Sequence, residues 1–186
     1  MQYLSGAYNP SDNNSVIKTI NTDENIEDYG TTLDWQFLKI KEPHPLAKLG
    51  CESKDLQTTI YKIACRSTEP NVDIRLGLDP VTWVRATGGK NTTEEILRLG
   101  LAKDDNEDLS QVWYTKKITG NGERGYYEWI EVYNYMAGRQ WRLSSREGDA
   151  QAFMWSGWET LDDGTKGWTR WHRNTTELVK SPWFGY

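Results

Sequence analysis

Short runs of alternating apolar and polar residues recur along this chain, and clusters of Gly, Pro, Asn or Asp separate them. Such runs are typical of strands that bury one face, because successive side chains of a strand point to opposite sides. The pattern predicts a mainly β fold of antiparallel sheets, arranged as a meander and sandwich-like overall. The predicted strands cover residues 33–40, 58–65, 73–76, 81–85, 111–118, 126–133 and 139–143.

One run is predicted to be helical. Residues 92–99 have the composition of a short helix, which Asn91 or Thr92 would cap and Gly100 would end. Two acidic residues in the first turn, Glu94 and Glu95, favour the same interpretation through the helix dipole.

The chain divides into three predicted segments. Residues 1–32 are polar and predict an extended arm, with one short strand around residues 15–20, that docks on another subunit, because few apolar side chains are present to offset the entropy of ordering it. Residues 33–103 predict a small β-rich domain, and the acidic loop 104–108 marks its end. Residues 111–186 form a module rich in Trp and Tyr, with eight of the ten Trp and six of the ten Tyr.

The aromatic module contains two W-x-x-W pairs. Residues three apart in a strand face opposite sides, so one ring of each pair is expected to be buried and the other exposed or at an interface. We expect Trp158 and Trp168 to be buried near the turn between the pairs, which leaves Trp155 and Trp171 on the opposite face. The candidate ligand or interface residues are Trp155, Trp171, Arg170, Arg173, Trp141 and Arg139.

Charge and composition argue against several classes of partner. The net charge is −5, and residues 111–186 hold ten basic and nine acidic side chains without a basic patch, so nucleic acid is not an expected partner. No apolar run approaches the ~18 residues of a membrane span. The first residues lack the pattern of a secretory signal, and Cys51 and Cys65 are therefore expected to be reduced thiols.

No catalytic or cofactor motif is evident, and the chain is expected to be a non-enzyme without cofactor or metal. Gly120, Gly122 and Gly125 have the letters of a dinucleotide motif, but a strand pattern follows them, so they predict a hairpin turn. The loop 104–108 lacks the Gly and Glu positions of a calcium loop. Carboxylates among the Trp residues leave a glycan hydrolase as an alternative; these are Glu128, Glu131 and Glu159.

Part of the module resembles the C-terminal segments of tailed-phage tail-fibre proteins. The resemblance covers about residues 111–160 and lies in an aromatic strand, then Gly138-Arg139-Gln140-Trp141-Arg142, then Trp155-Ser156-Gly157-Trp158. It implies a virion protein, made in the host cytoplasm, that assembles with itself as a homotrimer and with other virion proteins.

Three functions of different class follow from these patterns. The first is a virion structural protein of tail-fibre, head-fibre or baseplate type, whose aromatic module binds a host surface glycan or a neighbouring subunit. The second is a purely architectural virion subunit without receptor binding. The third is a cell-wall or glycan hydrolase.

Overall fold

A computed structural model describes residues 2–7, 16–21, 35–50, 59–65, 73–87, 93–122, 125–146, 152–157 and 167–171. Short 3-10 helices lie at Ala47–Gly50 and Leu109–Gln111. The strands of the described residues are β1 Gln2–Ala7, β2 Val16–Asn21, β3 Trp35–Lys39, β4 Ile60–Cys65, β5 Ile74–Thr87, β6 Thr93–Lys103, β7 Trp113–Gly122, β8 Gly125–Asn134, β9 Arg142–Arg146, β10 Ala152–Trp155 and β11 Gly167–Trp168.

Seven antiparallel strands close into a barrel. They follow the order β10-β6-β5-β4-β7-β8-β9, and β9 pairs again with β10. The predicted mainly β, antiparallel fold is confirmed, whereas the sandwich-like meander is wrong. The reason is the position of β10, which pairs with β6 on one side and β9 on the other and so joins what would be two sheet edges.

The barrel takes strands from both of the larger segments inferred from the sequence, β4 to β6 from residues 33–103 and β7 to β10 from residues 111–186. The two short strands predicted at 73–76 and 81–85 are parts of one strand, β5, whose register against β6 shifts between Leu78 and Trp83. Such an irregularity bends a strand and helps it to follow a curved wall.

The helix predicted near residues 92–99 is wrong, because residues 93–99 lie in strand β6. Leu97, Leu99 and Leu101 all face the interior and are buried, which is the period of two that a strand requires. Pairing with β5 along the whole of β6 decides the conformation over the local helix propensity.

The interior of the barrel is filled by aliphatic side chains and two Trp rings. Trp113 is fully buried and donates from its Nε1 to the carbonyl oxygen of Leu76 at 2.8 Å, so its polar group is satisfied. The buried members of this main core are Ile17, Ile63, Ile74, Leu76, Leu97, Leu99, Leu101, Trp113, Val132, Trp141, Leu143, Ala152 and Met154.

The described parts of the predicted N-terminal arm form a hairpin on the chain's own barrel. β1 pairs with β2 in antiparallel register, and Ile17 of β2 is 5% exposed within the main core. Leu4 lies on the same face and packs against that core, while its carbonyl oxygen accepts from Trp35 Nε1 at 2.9 Å. The expected extended arm is therefore wrong here, because Leu4 and Ile17 give this polar segment one apolar face.

A buried ion network fastens the acidic loop to the outside of the barrel. Lys62 and Arg75, which are 3% and 8% exposed, both pair with Asp104, at 3.2 Å and 3.3 Å. Lys62 Nζ also donates to the carbonyl oxygen of Asp105 at 2.6 Å and to Gln111 Oε1 at 3.0 Å. The loop is thus anchored by the two cations that it covers.

Removal of the Asp104 carboxylate is expected to destabilise the fold. Asp104→Ala leaves two buried cations without their shared counter-ion, which costs about 2 kcal/mol or more in the free energy of unfolding. Glu107→Ala, an exposed change in the same loop, is the control and should have little effect. Urea unfolding of both variants checks this, and equal effects from the two changes would contradict the role of the network.

Candidate interaction surface

A single row of side chains crosses the outside of the barrel in register. Trp155 of β10 lies opposite Ile96 of β6 on one side and Arg142 of β9 on the other. Arg142 lies opposite Tyr133 of β8, which in turn lies opposite Tyr114 of β7. Residues directly opposite each other in antiparallel strands share a face, so these side chains are neighbours across five strands. We call them the transverse row.

Trp155 is the most enclosed member of the transverse row. It is 1% exposed and forms a small cluster with Ile96 and Phe153. A Cβ at Gly157 would lie 1.9 Å from the ring, and one at Gly167 would lie 2.3 Å from it, so only glycine backbone fits against the indole at these two positions. The expectation of an exposed Trp155 is wrong, because the two glycine segments cover this outward-facing ring. Trp158 and the side chain of Trp168 lie outside the described residues.

Trp171 belongs to a segment that fills the gap between diverging strands. β9 pairs with β8 only at Arg142 and then with β11, while Trp171 makes two backbone hydrogen bonds to Ile130 of β8, at 2.8 Å and 2.9 Å. Its ring is half-buried and donates from Nε1 to the carbonyl oxygen of Leu143 at 2.8 Å. Trp171 therefore helps to hold β8 and β9 together.

The remaining sequence candidates are spread over different environments. Trp141 is 7% exposed within the main core, and Arg139 is exposed near the transverse row. Arg170 is exposed, with its Nε 3.7 Å from Glu131 Oε1. Arg173 lies outside the described residues. The structure does not bring the two rings together as expected, because Trp155 packs with Ile96 and Phe153 whereas Trp171 packs against the main core.

A buried acid, Glu131, lies between Tyr133 of the transverse row and Arg170. Glu131 is 2% exposed, and its Oε2 accepts a hydrogen bond of 2.5 Å from the Tyr133 hydroxyl. Burial, together with the hydrogen bond to Glu131 and its negative charge, raises the pKa of Tyr133 to about 12. Tyr114 stacks on Tyr133 with ring centroids 5.2 Å apart, and burial raises its pKa while the charge of Arg139 opposes the rise.

The β7–β8 hairpin extends beyond the wall of the barrel as a two-stranded ribbon. β7 and β8 pair along their full length to Gly122 and Gly125, which confirms the predicted hairpin turn. Among the described residues, β7 pairs with β4 only at Trp113 and Tyr114, and past Tyr133 the only further backbone partner of β8 is Trp171 at Ile130. We call residues 115–122 and 125–130 the ribbon.

Both faces of the ribbon carry exposed side chains. Lys117 and Glu128 lie on one face and form an ion pair of 2.6 Å, with side chains 59% and 48% exposed. Lys116 and Trp129 lie on the other face, where Lys116 is exposed and Trp129 is 36% exposed. Exposure on both faces means that the ribbon is not covered by the described part of the barrel, and it presents a surface to solvent.

The described groups do not assemble a catalytic pair of carboxylates. Glu128 and Glu131 point to opposite faces of the ribbon, and Glu131 is buried against Tyr133, so the two do not converge on one ligand. Glu159 lies outside the described residues. Within the described ranges, no group of three or more His, Cys, Asp or Glu side chains is placed to hold a metal ion. In the same ranges, no helix is long and apolar enough to cross a membrane.

Comparisons with protein-family models, with curated proteins and with solved structures find no match to this chain. The residues of the chain itself therefore carry the functional argument.

Sequence reasoning missed the ribbon as a surface. The W-x-x-W pairs are the more prominent pattern in the sequence, whereas the exposed residues Lys116, Lys117 and Trp129 belong to no recognisable motif. A usable signal was present, since β7 contains only basic charges and β8 only acidic ones.

Enlarging Gly157 is expected to damage the packing of Trp155. Gly157→Ala forces the added methyl group into the ring and should cost about 3 kcal/mol in unfolding free energy. Ser156→Ala, an exposed change beside Gly157, is the control and should have little effect. In a Trp155→Leu background the cost of Gly157→Ala should largely disappear, as a double-mutant cycle by thermal or urea unfolding would reveal. Additive effects would contradict the direct contact.

Tyr133 is expected to make stability sensitive to alkaline pH. Its folded pKa of about 12 lies above its ordinary value of 10.0, so the stability that it contributes is complete below pH 10 and is lost as pH rises towards and through 12. The difference in unfolding free energy between the native chain and Tyr133→Phe should therefore shift in favour of the variant over this range. A difference that stays constant from pH 9 to pH 12 would exclude the effect.

Proposed function

We propose that the protein is a structural subunit of a tailed-phage particle, of tail-fibre, head-fibre or baseplate type, and that the ribbon is its contact with a neighbouring subunit. The observation that carries the contact is the ribbon itself, a paired two-stranded element with charged side chains exposed on both faces and Trp129 exposed on one. The assignment to a phage particle is supported by the resemblance of residues 111–160 to tail-fibre segments.

The burial of the Trp residues in the stretch that resembles tail fibres favours the architectural role over a binding platform. Trp141 and Trp155 lie in the stretch that resembles tail fibres, and both side chains are buried by packing within the chain, at 7% and 1% exposed. A glycan platform requires rings that present a face to solvent. The resemblance to tail fibres therefore supports similar packing within the module more than a shared ligand.

Trp129 is the residue best placed to contribute binding energy. Its ring is 36% exposed and lies directly opposite Ile118 on one face of the ribbon. Trp is enriched among the residues that dominate protein interfaces, where its loss commonly costs 2 kcal/mol or more. A second function, attachment to a host surface glycan, rests on the same exposed ring, which has the chemistry for stacking on a sugar.

Light scattering of the purified protein tests the proposal. We expect a defined oligomer at micromolar concentration and about a tenfold or greater weakening of its association in Trp129→Ala. Met136→Ala is the matched control, because Met136 is an exposed apolar residue at 65% outside the ribbon. Both variants should keep the native melting temperature within a few degrees.

Three outcomes count against the proposal. A monomer at all concentrations would exclude self-association through the ribbon, and equal weakening by the two changes would place the contact elsewhere. Retained assembly in Trp129→Ala together with loss of binding on a glycan array would favour attachment to host glycan instead.

A further inference from the structure

The edge of β7 that faces away from β8 carries backbone groups that no described strand pairs. Tyr135 donates from its backbone to the carbonyl oxygen of Val112 at 2.8 Å, and the register of β7 against β8 is unbroken, so every second residue of β7 from Val112 onwards is bonded to β8. The residues between them, which include Thr115, Thr119 and Asn121, direct their N–H and C=O groups to the other side. β4 occupies that side only at the first two residues of β7, and no further strand of the described ranges lies there.

An unpaired strand edge is a template for the addition of another strand. The edge from Thr115 to Asn121 contains no Pro and no shift in register, so a partner strand can follow its whole length. Lysine side chains discourage such pairing when they meet other cations. The positions of Lys116 and Lys117 therefore decide which partner strand this edge accepts.

A second copy of β7, running antiparallel, matches the edge in one register. When the two strands are centred on Ile118, Thr115 of each copy lies opposite Asn121 of the other. Both residues direct their backbone groups outwards, so each such pair can exchange two hydrogen bonds. The backbone of this edge is thus complementary to itself.

The same register keeps the lysines apart. Lys116 lies opposite Gly120 of the other copy, and Lys117 lies opposite Thr119. The two Lys116 positions are about 13 Å apart along the strands, which exceeds the Debye length of ~10 Å at 0.1 M salt. Lys117 forms its ion pair of 2.6 Å with Glu128 of its own ribbon, which offsets its charge. Repulsion between lysines therefore does not prevent this pairing.

Apolar side chains meet at the centre of this register. Ile118 lies opposite itself in a pair without hydrogen bonds, where side chains approach most closely. Trp129, at 36% exposed, lies directly opposite Ile118 within each ribbon. Pairing of the two edges therefore makes one apolar row of two Ile and two Trp side chains across four strands, and cross-strand pairs of this kind stabilise a sheet.

From these observations we infer that the neighbouring subunit is a second copy of this chain and that the two β7 edges pair antiparallel about Ile118. The product is a four-stranded sheet in the order β8-β7-β7-β8. This inference rests on the proposed function, because it specifies the partner and geometry of the same ribbon contact. The contact is two-fold and closes on itself, so it gives a dimer, whereas the resemblance to tail fibres implies a trimer.

Disulfide cross-linking of the full chain tests the register. Ile118→Cys places two thiols opposite each other, with their Cα atoms about 4.5 Å apart, which is within the range of about 4.4–6.8 Å for a disulfide. Mild oxidation should convert most of the oligomer to a covalent dimer, and peptide mapping should locate the bond at position 118 of both copies. Asn121→Cys is the matched control, because its two thiols are about 20 Å apart along the strands and should not be joined.

A proline in the edge tests the backbone pairing. Asn121→Pro removes an outward N–H and leaves the hydrogen bonds to β8 in place, so the ribbon should remain folded by circular dichroism and melting temperature. Association measured by sedimentation velocity should be weaker by about tenfold or more, because the lost donor occurs twice in a two-fold contact. Asn121→Ala keeps the N–H and should associate within about twofold of the native protein.

The outcomes separate this inference from the proposed function. An oligomer that is not cross-linked at position 118, or equal cross-linking of the two Cys variants, would overturn the paired edges and leave the proposed function standing. Equal association of Asn121→Pro and Asn121→Ala, or a native trimer without dimer, would have the same consequence. A native protein that never associates would remove both.

Discussion

The closure of the barrel through β10 is the constraint on which the rest of the structure depends. This strand has only four residues, yet it pairs with β6 and with β9 and so joins the early strands of the chain to the late ones. Its inward residues Ala152 and Met154 complete the main core, and its outward residue Trp155 begins the transverse row. This one short strand therefore closes the backbone pairing of the barrel and also packs on both of its faces.

Charged side chains around the barrel wall are paired in ways that fasten loops and strand ends to it. Asp104 joins two buried cations under the acidic loop, while Glu131, Tyr133 and Arg170 connect β8 to the segment that contains Trp171. Buried charges are costly unless they are paired and hydrogen-bonded, so each network favours one arrangement of its loop. The ribbon differs, because its ion pair between Lys117 and Glu128 is exposed to solvent and fastens no loop to the barrel.

The sequence predicted the local elements better than their assembly. Alternation located most strands, and the three glycines after Thr119 identified the β7–β8 turn because a strand pattern follows them. The helix at 92–99 failed because the alternation of Leu97, Leu99 and Leu101 is clear only when read past Gly100. Closure of the barrel depends on β10, and a strand of four residues is too short to be recognised by its alternation. The burial of Trp155 depends on the segments of Gly157 and Gly167, which the alternation of faces along a strand does not predict. Among the candidate residues, Arg170 lies beside the buried pair Glu131 and Tyr133. The sequence could not indicate this contact, because the pair is distant from Arg170 along the chain.

Hydrogen exchange followed by mass spectrometry, at several protein concentrations, tests the central claim most directly. If the ribbon joins subunits, peptides that cover residues 115–122 and 125–130 should become more protected as concentration rises, because association excludes water from this otherwise exposed element. Peptides from the barrel wall at residues 96–101 should exchange at the same slow rate throughout. Protection of the ribbon that is independent of concentration in a protein that oligomerises, or protection that rises elsewhere instead, would contradict the account.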